Sequence, residues 1–249
     1  YKFIFSHPEY HEQLQTAIQS IHKICVMSIK IRSATPADVP QIYAINAHYI
    51  LNTSLTFLQN PPPRAVFAAK FDEISNIRGL PYLVAVESRT SNTPNHGLTE
   101  DPLEEVVLGY SYLSPFRGHM LSYAPTVELS LFVHPDHQSR SVGSQLFAAI
   151  VDKARDPNTR HCAREVTEGP GGDGVGMEMH GVLAGDGGEG VKIRSILAVM
   201  AVDPEGKDGG EALRAWYVKK GFVQRGWMKN IGFKRGRWLD TVYFQYDLL

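Results

Sequence analysis

The apolar positions fall into runs with a strand or a helix period. Ile29-Lys30-Ile31-Arg32 alternates as a strand, and Thr35 stands where it can cap a helix opened by Pro36 and continued through Val39, Ile42, Ile45 and Asn46. Asn60 and the run Pro61-Pro62-Pro63 break the chain, and a second helix is expected from Ala65 to Ile77, ending near Gly79. Tyr82–Glu87 reads as a buried strand, residues 88–104 as a solvated loop, and Val106–Tyr112 as the next strand. Thr126–Val133 is the clearest strand, with Val127, Leu129, Leu131 and Val133 on one face. Ser144–Arg155 has helical spacing through Leu146, Phe147 and Ile150. After a glycine-rich stretch, a strand is expected at Ile193–Val202, a helix at Glu211–Lys220, and final strands at Phe222–Lys229 and Leu239–Asp247.

The resulting order, β-α-α-β-β-β-α-β-α-β-β, fits neither a doubly wound sheet nor a sandwich. It fits an α/β fold with a mixed central sheet and helices on both faces. Two regions stand apart. Residues 1–27 read as an extension with a short amphipathic helix through Leu14, Ala17, Ile18, Ile21 and Ile24. Residues 156–192, rich in glycine between Gly169 and Gly190, read as a mobile insertion, because glycine raises the entropy cost of ordering. The main domain is thus expected over residues 28–249.

Composition narrows the function classes. Of 249 residues 43% are hydrophobic and 20% charged, enough apolar material for a full core. Lys and Arg number 25 against 26 Asp and Glu, so the net charge of -1 leaves no broad basic footprint for nucleic acid. Any anionic ligand must be held by a local device. Two cysteines, Cys25 and Cys162, form neither a disulfide framework nor a metal motif, and the histidines show no ligand spacing, so no metal is expected. No apolar run reaches the roughly 18 residues of a membrane span, and Glu9 and Glu12 argue against a targeting segment. The expectation is a cytoplasmic protein with no membrane partner.

Candidate chemistry centres on His134–Ser144, a polar turn between the best strand and a good helix. Unpaired N–H groups at such a helix start suit a pyrophosphate, with Arg140 adding charge at the rim and Gly143 allowing close approach of the backbone. The stretch from Val133 to Ser144 resembles the acetyl-CoA loop of the Gcn5-related N-acetyltransferase superfamily, Gln/Arg-x-x-Gly-x-Gly/Ala: Gln138 and Gly143 match, and Ser141 replaces the first glycine. Ile31–Asp38, Asn52-Thr53 with Phe57, Pro115-Phe116-Arg117, Tyr123 with Thr126-Val127-Glu128, Tyr217–Phe222 and Gly232–Asp240 are similar to the phosphinothricin acetyltransferase-like group, in the same order along the chain.

The resemblance implies a mostly antiparallel sheet splayed where acetyl-CoA enters, between Thr126–Val133 and Ile196–Val202. It implies direct transfer of an acetyl group to the amine of a small amino-acid-like acceptor, of the phosphinothricin, methionine sulfoximine or methionine sulfone type, by a homodimer. Glu128, facing away from the apolar side of its strand, is the expected base for the acceptor ammonium. Tyr217 is the expected acid for the departing thiolate, and His137 a candidate assistant in proton removal. The cofactor set is Leu131, Phe132, Val133, Gln138, Ser139, Arg140, Ser141, Val142, Gly143 and Ser144, and backbone N–H groups near Leu131–Val133 are placed to polarise the thioester carbonyl. The acceptor set is Asn52, Thr53, Phe57, Phe116, Arg117, Tyr123 and Lys234, with Arg117 and Lys234 suited to a carboxylate or phosphinate. The segment Gly118–Ser122 departs from the group's usual Arg/Pro-rich form, which puts the acceptor in question. Relatives carry Asn seven residues before the Tyr217 position, whereas this chain has Gly210. Two alternatives stay open: a peptide N-acetyltransferase, which needs an open groove, and a non-catalytic acyl-CoA-binding protein, suggested by Ser141 and Gly210.

Overall fold

The computed structural model describes residues 29–90, 103–118, 120–168, 175–178 and 190–248. The helix expected within residues 1–27, Cys25 and the centre of the glycine-rich stretch lie outside the described residues. β1 (Lys30–Ser33) leads through a short 3-10 turn, Pro36–Asp38, into α1 (Val39–Asn52). The turn is fixed by Asp38, whose carboxylate accepts from the Thr35 N–H (2.8 Å) and hydroxyl (2.9 Å). Arg32 grips the other side of that carboxylate in a bidentate pair (2.7 and 2.8 Å) and also donates to Glu105, tying the turn to the sheet.

α2 (Arg64–Asp72) ends in a single π-helical stretch, Glu73–Ile77, before Gly79. Then come β2 (Tyr82–Thr90), β3 (Leu103–Pro115), β4 (Thr126–Val133) and α3 (Val142–Arg155). The pairs β5 (Arg160–His161) with β8 (Val191–Lys192), and β6 (Glu165–Glu168) with β7 (Val175–Glu178), follow. β9 (Ser195–Ala201), α4 (Glu211–Lys219), β10 (Val223–Lys234) and β11 (Arg237–Asp247) complete the chain. Seven strands form one sheet in the order β1-β2-β3-β4-β9-β11-β10. Every pairing is antiparallel except β4 with β9.

Helices cover both faces. Tyr43 of α1 meets Phe67 of α2 edge-on at 5.3 Å on one side, and Phe147 of α3 meets Trp216 of α4 at 5.9 Å on the other. Between the layers, Ile42, Val84, Leu108, Leu146, Ile196 and Phe244 are fully enclosed. Burial of side chains of this size contributes about 1.5–3 kcal/mol each, the main favourable term holding the sheet between its helices.

Several expected boundaries need correction. Residues 88–90 and 103–104 are strand, not loop, because the β2–β3 ladder continues through the pairs Ser88–Glu105, Arg89–Glu104 and Thr90–Leu103. A ladder is held by main-chain bonds, which polar side chains do not interrupt. Part of 156–192 is regular for a related reason, and β5 and β8 are anchored by the buried His161 and Val191. β10 runs on to Lys234, past a register shift between Met228 and Gly232 where Asn230 has φ 52.

Candidate active site

β4 and β9 pair at Thr126–Ser195, Val127–Ile196 and Glu128–Leu197, and there the ladder stops. Beyond that fork the strands part, and a cleft of ≈ 630 Å³ opens between Leu129–Val133 on one side and Val199–Ala201 on the other. The start of α3 and Leu213, Trp216 and Tyr217 of α4 close its far wall. The His134 N–H donates to the Leu108 carbonyl (2.8 Å), as the strand alternation requires for even-numbered positions facing β3. The Leu129 carbonyl and main-chain groups of Leu131 and Val133 are therefore turned into the cleft. The Val133 carbonyl already accepts from the Tyr49 hydroxyl (2.7 Å), which in turn accepts from Gln138 Nε2 (3.2 Å). Gln138 thus ties the turn to the end of β4.

The turn after β4 is unusual in its backbone. Ser139 has φ 63 and Ser141 φ 61, both left-handed, with Ser141 at the N-cap of α3. The Ser141 hydroxyl makes no cap bond, so first-turn N–H groups of α3 are left without that partner where Val142, Gly143 and Ser144 line the cleft. A Cβ at Gly143 would meet Val133 and Leu131 only at 3.5 and 3.6 Å. The chain itself tolerates a methyl there, so the open space serves the cleft. Arg140 is turned toward the sheet. Its Nη2 donates to Oε1 of the enclosed Glu87 on β2, and the side chain is not among those lining the cleft.

Glu128 is the last β4 residue paired with β9 and stands half-buried at the fork, on the face opposite Val127 and Leu129. It does not itself line the cleft. Burial raises its carboxyl above the ordinary value, and the charge of Lys70 partly offsets this. Lys70 donates to the Tyr112 hydroxyl (3.4 Å) and lies over that ring (5.4 Å). This cation beside the candidate base had no signal in the sequence, because α2 and β4 meet only in the fold. Tyr217 lines the cleft, stacks on Phe244 at 5.0 Å, and has its hydroxyl pushed up to about 12 by burial. His137 lines the loop end of the cleft with Nδ1 3.4 Å from Arg140 Nη1. Five strand residues, roughly 16 Å, separate Glu128 from the loop end of β4, so the structure does not bring His137 to it.

The acceptor candidates divide into two groups. Phe116 and Tyr123 meet edge-on at 5.2 Å, and Arg117, with φ 47, lies over Phe116 at 5.7 Å. The Phe116 N–H donates to Thr126 O (3.3 Å), holding this group beside the start of β4, two residues from Glu128. The second group is a strap from α1 to β10. Asn52 donates to His48 O (3.0 Å) and Thr53 to Tyr49 O (2.7 Å), both serving the end of α1. Leu55 lines the cleft and the Phe57 ring lies against Gly232. Lys234 is neither surface charge nor an open cation: it is 2% exposed, and its Nζ donates to Thr56 O (2.7 Å). Burial, and then the charge of Arg235, lower its pKa. Its part in this structure is to hold the strap.

Gly210 also lines the cleft, with φ +91 as the N-cap of α4. A Cβ there would come within 3.2 Å of both the N and the O of Asp203. The backbone path into α4 accounts for glycine at this position.

Among the described residues no cluster of His, Cys, Asp and Glu could hold a metal ion, and no helix is long and apolar enough to cross a membrane. Residues 59–169 match the Acetyltransferase (GNAT) family. The chain is 26% identical over 218 residues to phosphinothricin N-acetyltransferase of Alcaligenes faecalis, covering 88% of this chain and 82% of the relative. It is 27% identical over 225 residues to the L-methionine sulfoximine/L-methionine sulfone acetyltransferase of Pseudomonas aeruginosa, covering 89% and 96%. Among solved structures, a GNAT superfamily phosphinothricin acetyltransferase from Sinorhizobium meliloti in complex with AcCoA superposes with a TM-score of 0.60 at 25% identity over 89% of each chain. With the seven-stranded sheet forked at β4 and β9, these similarities make the chain alike in sequence and fold to GNAT-family N-acetyltransferases, phosphinothricin acetyltransferases among them.

Proposed function

We propose that the protein transfers the acetyl group of acetyl-CoA directly to the amine of a small amino-acid-like acceptor of the phosphinothricin, methionine sulfoximine or methionine sulfone type. The observation that carries this reading is the fork. It leaves the Leu129 carbonyl and main-chain groups of Leu131 and Val133 without a β9 ladder partner, and ends at the open N-terminus of α3. An extended amide-bearing arm can pair with such an edge while its pyrophosphate meets the amides of residues 141–144, where the helix dipole also favours negative charge.

In this reading Glu128 takes a proton from the acceptor ammonium, directly or through water. The free amine then attacks the thioester carbon, the carbon–sulfur bond breaks, and the sulfur receives a proton from Tyr217. N–H groups of Leu131 and Val133 stabilise the oxygen that gains charge. A free thiol ionises near about 8.5, well below the 12 of Tyr217. The same burial that raises the phenol also raises the proton affinity of a thiolate forming in that cleft, which narrows the gap. Direct transfer needs no cysteine nucleophile, and among the described residues Cys162 is outside the cleft lining. The Phe116–Tyr123 group and the strap through Leu55 and Phe57 flank the acceptor, with Arg117 as the cation for its acidic group.

The acceptor class is supported by relatives named for phosphinothricin and for methionine sulfoximine and sulfone. A homodimer goes with this reading and draws support from apolar side chains exposed on the edge hairpin, Ile231, Phe233 and Trp238. A cytoplasmic location goes with it as well. The test is mass-spectrometric identification of product after incubation with acetyl-CoA and a panel of phosphinothricin, methionine sulfone, amino acids, polyamines and a peptide. N-acetylation of amino-acid-like members supports the reading. Acetylation of the peptide alone would replace it.

A further inference from the structure

We propose that Glu87 and Arg140 form a clamp that sets the backbone of the loop entering α3, so that Arg140 positions the acetyl-CoA site without itself gripping phosphate. The inference rests on the acetyl-CoA reading above. Arg140 lies between Ser139 and Ser141, whose φ values are 63 and 61. Residues with side chains avoid that region, and two of them within three positions persist only where the surroundings over-determine the backbone. The Ser141 hydroxyl does not help, since it makes no cap bond.

Arg140 supplies the constraint. Its Nη2 donates to Glu87 Oε1, while Nη1 lies 3.4 Å from Nδ1 of His137 at the start of the same turn. Glu87 sits on β2, an interior strand paired with both β1 and β3, so the clamp is anchored to a rigid part of the sheet. The Glu87 side chain is 0% exposed, against 37% for Arg140. An enclosed carboxylate is costly unless a cation holds it, so swinging Arg140 toward a bound pyrophosphate would weaken the ion pair on which Glu87 relies. The clamp thereby holds a left-handed backbone at Ser141, a residue with a side chain.

The two roles of Arg140 predict opposite effects of a change at Glu87. If Arg140 gripped phosphate, Glu87→Gln would release it and leave acetyl-CoA binding unchanged or tighter, while Arg140→Met would weaken it. The clamp predicts that both variants raise KM for acetyl-CoA, by about tenfold for loss of a charge-assisted bond. It also predicts little change with S-acetyl-pantetheine, which lacks the pyrophosphate, and recovery of part of the loss in Arg140→Lys. Adding Ser141→Gly should reduce the penalty of Glu87→Gln, because glycine needs no clamp at that φ. Circular dichroism and thermal melts check that each variant folds, and the exposed Arg140 variants carry the test should Glu87→Gln fold poorly. Unchanged or tighter acetyl-CoA binding in Glu87→Gln, or equal losses with both donors in folded variants, overturns the clamp. Wild-type protein that neither binds nor turns over acetyl-CoA overturns both the clamp and the reading beneath it.

Discussion

Ser141→Gly should stabilise the protein, although it removes a side chain from a helix start. Ser141 has φ 61 and ψ 10, a left-handed conformation that costs a residue with a Cβ about 1–2 kcal/mol. Glycine escapes that cost but loses more backbone freedom on folding, about 0.5–1 kcal/mol in the other direction. A serine at an N-cap ordinarily accepts a hydrogen bond worth about 1 kcal/mol, but here that bond is absent, so nothing is lost with the hydroxyl. The net expectation is a gain of about 0.5–1 kcal/mol, or about 1–4 °C in melting temperature for a chain of this length. Urea denaturation of wild type, Ser141→Gly and Ser141→Ala measures it, with alanine expected within about 0.5 kcal/mol of wild type. A destabilised glycine variant, or an alanine variant that loses about 1 kcal/mol, would show that the hydroxyl caps the helix and would refute the reasoning.

Three further outcomes follow from buried groups and backbone angles. Burial raises the Glu128 carboxyl above its ordinary value, and a base works only when deprotonated. The acid limb of kcat/KM should therefore stand above pH 4.5, while Tyr217, at about 12, should leave no alkaline limb near the ordinary tyrosine value of 10. A pH–rate profile with limbs at those ordinary values contradicts this. His161 is 2% exposed, its Nδ1 is 2.8 Å from the Ala124 carbonyl, and burial lowers its pKa below 6.5. A folded-state pKa below the unfolded one means that the unfolded chain binds the proton first. The contribution of His161 is then fully present above pH 6.5 and is lost as pH falls below it. Urea midpoints at pH 8 and 5.5 should diverge more for wild type than for His161→Asn, and equal divergence counts against the assignment. Gly210→Asn should destabilise by about 1–3 kcal/mol, because its Cβ at φ +91 crowds Asp203. A stable variant with tighter acetyl-CoA binding would mean that the backbone yields.

Regular alternation made Thr126–Val133 legible to the residue, and helical spacing did nearly as well for Glu211–Lys219. Both signals report one face turned to a core, which is a local property. β10 past Met228 was not legible, since Gly232 and the left-handed Asn230 break the alternation while the ladder with β11 resumes. Lys234 reads as surface charge by residue type. Its burial depends on Thr56, 178 residues away, whose carbonyl no local pattern can announce. The pairing of Arg140 with Glu87 spans 53 residues and was hidden in the same way. For Ser141 the signal was there: it stands at a glycine of the motif that the loop resembles, where the left-handed region is to be expected.

The central claim is that this cleft carries acetyl transfer with Glu128 as the base. The most direct measurement is thiol release from acetyl-CoA in the presence of methionine sulfone or phosphinothricin, run beside Glu128→Gln. The account predicts steady release with wild type and a loss of about 10²–10⁴-fold in the variant, the range of a general base, with acetyl-CoA binding retained. Release that persists in the variant, or wild type that binds acetyl-CoA and acetylates no amine, would contradict it.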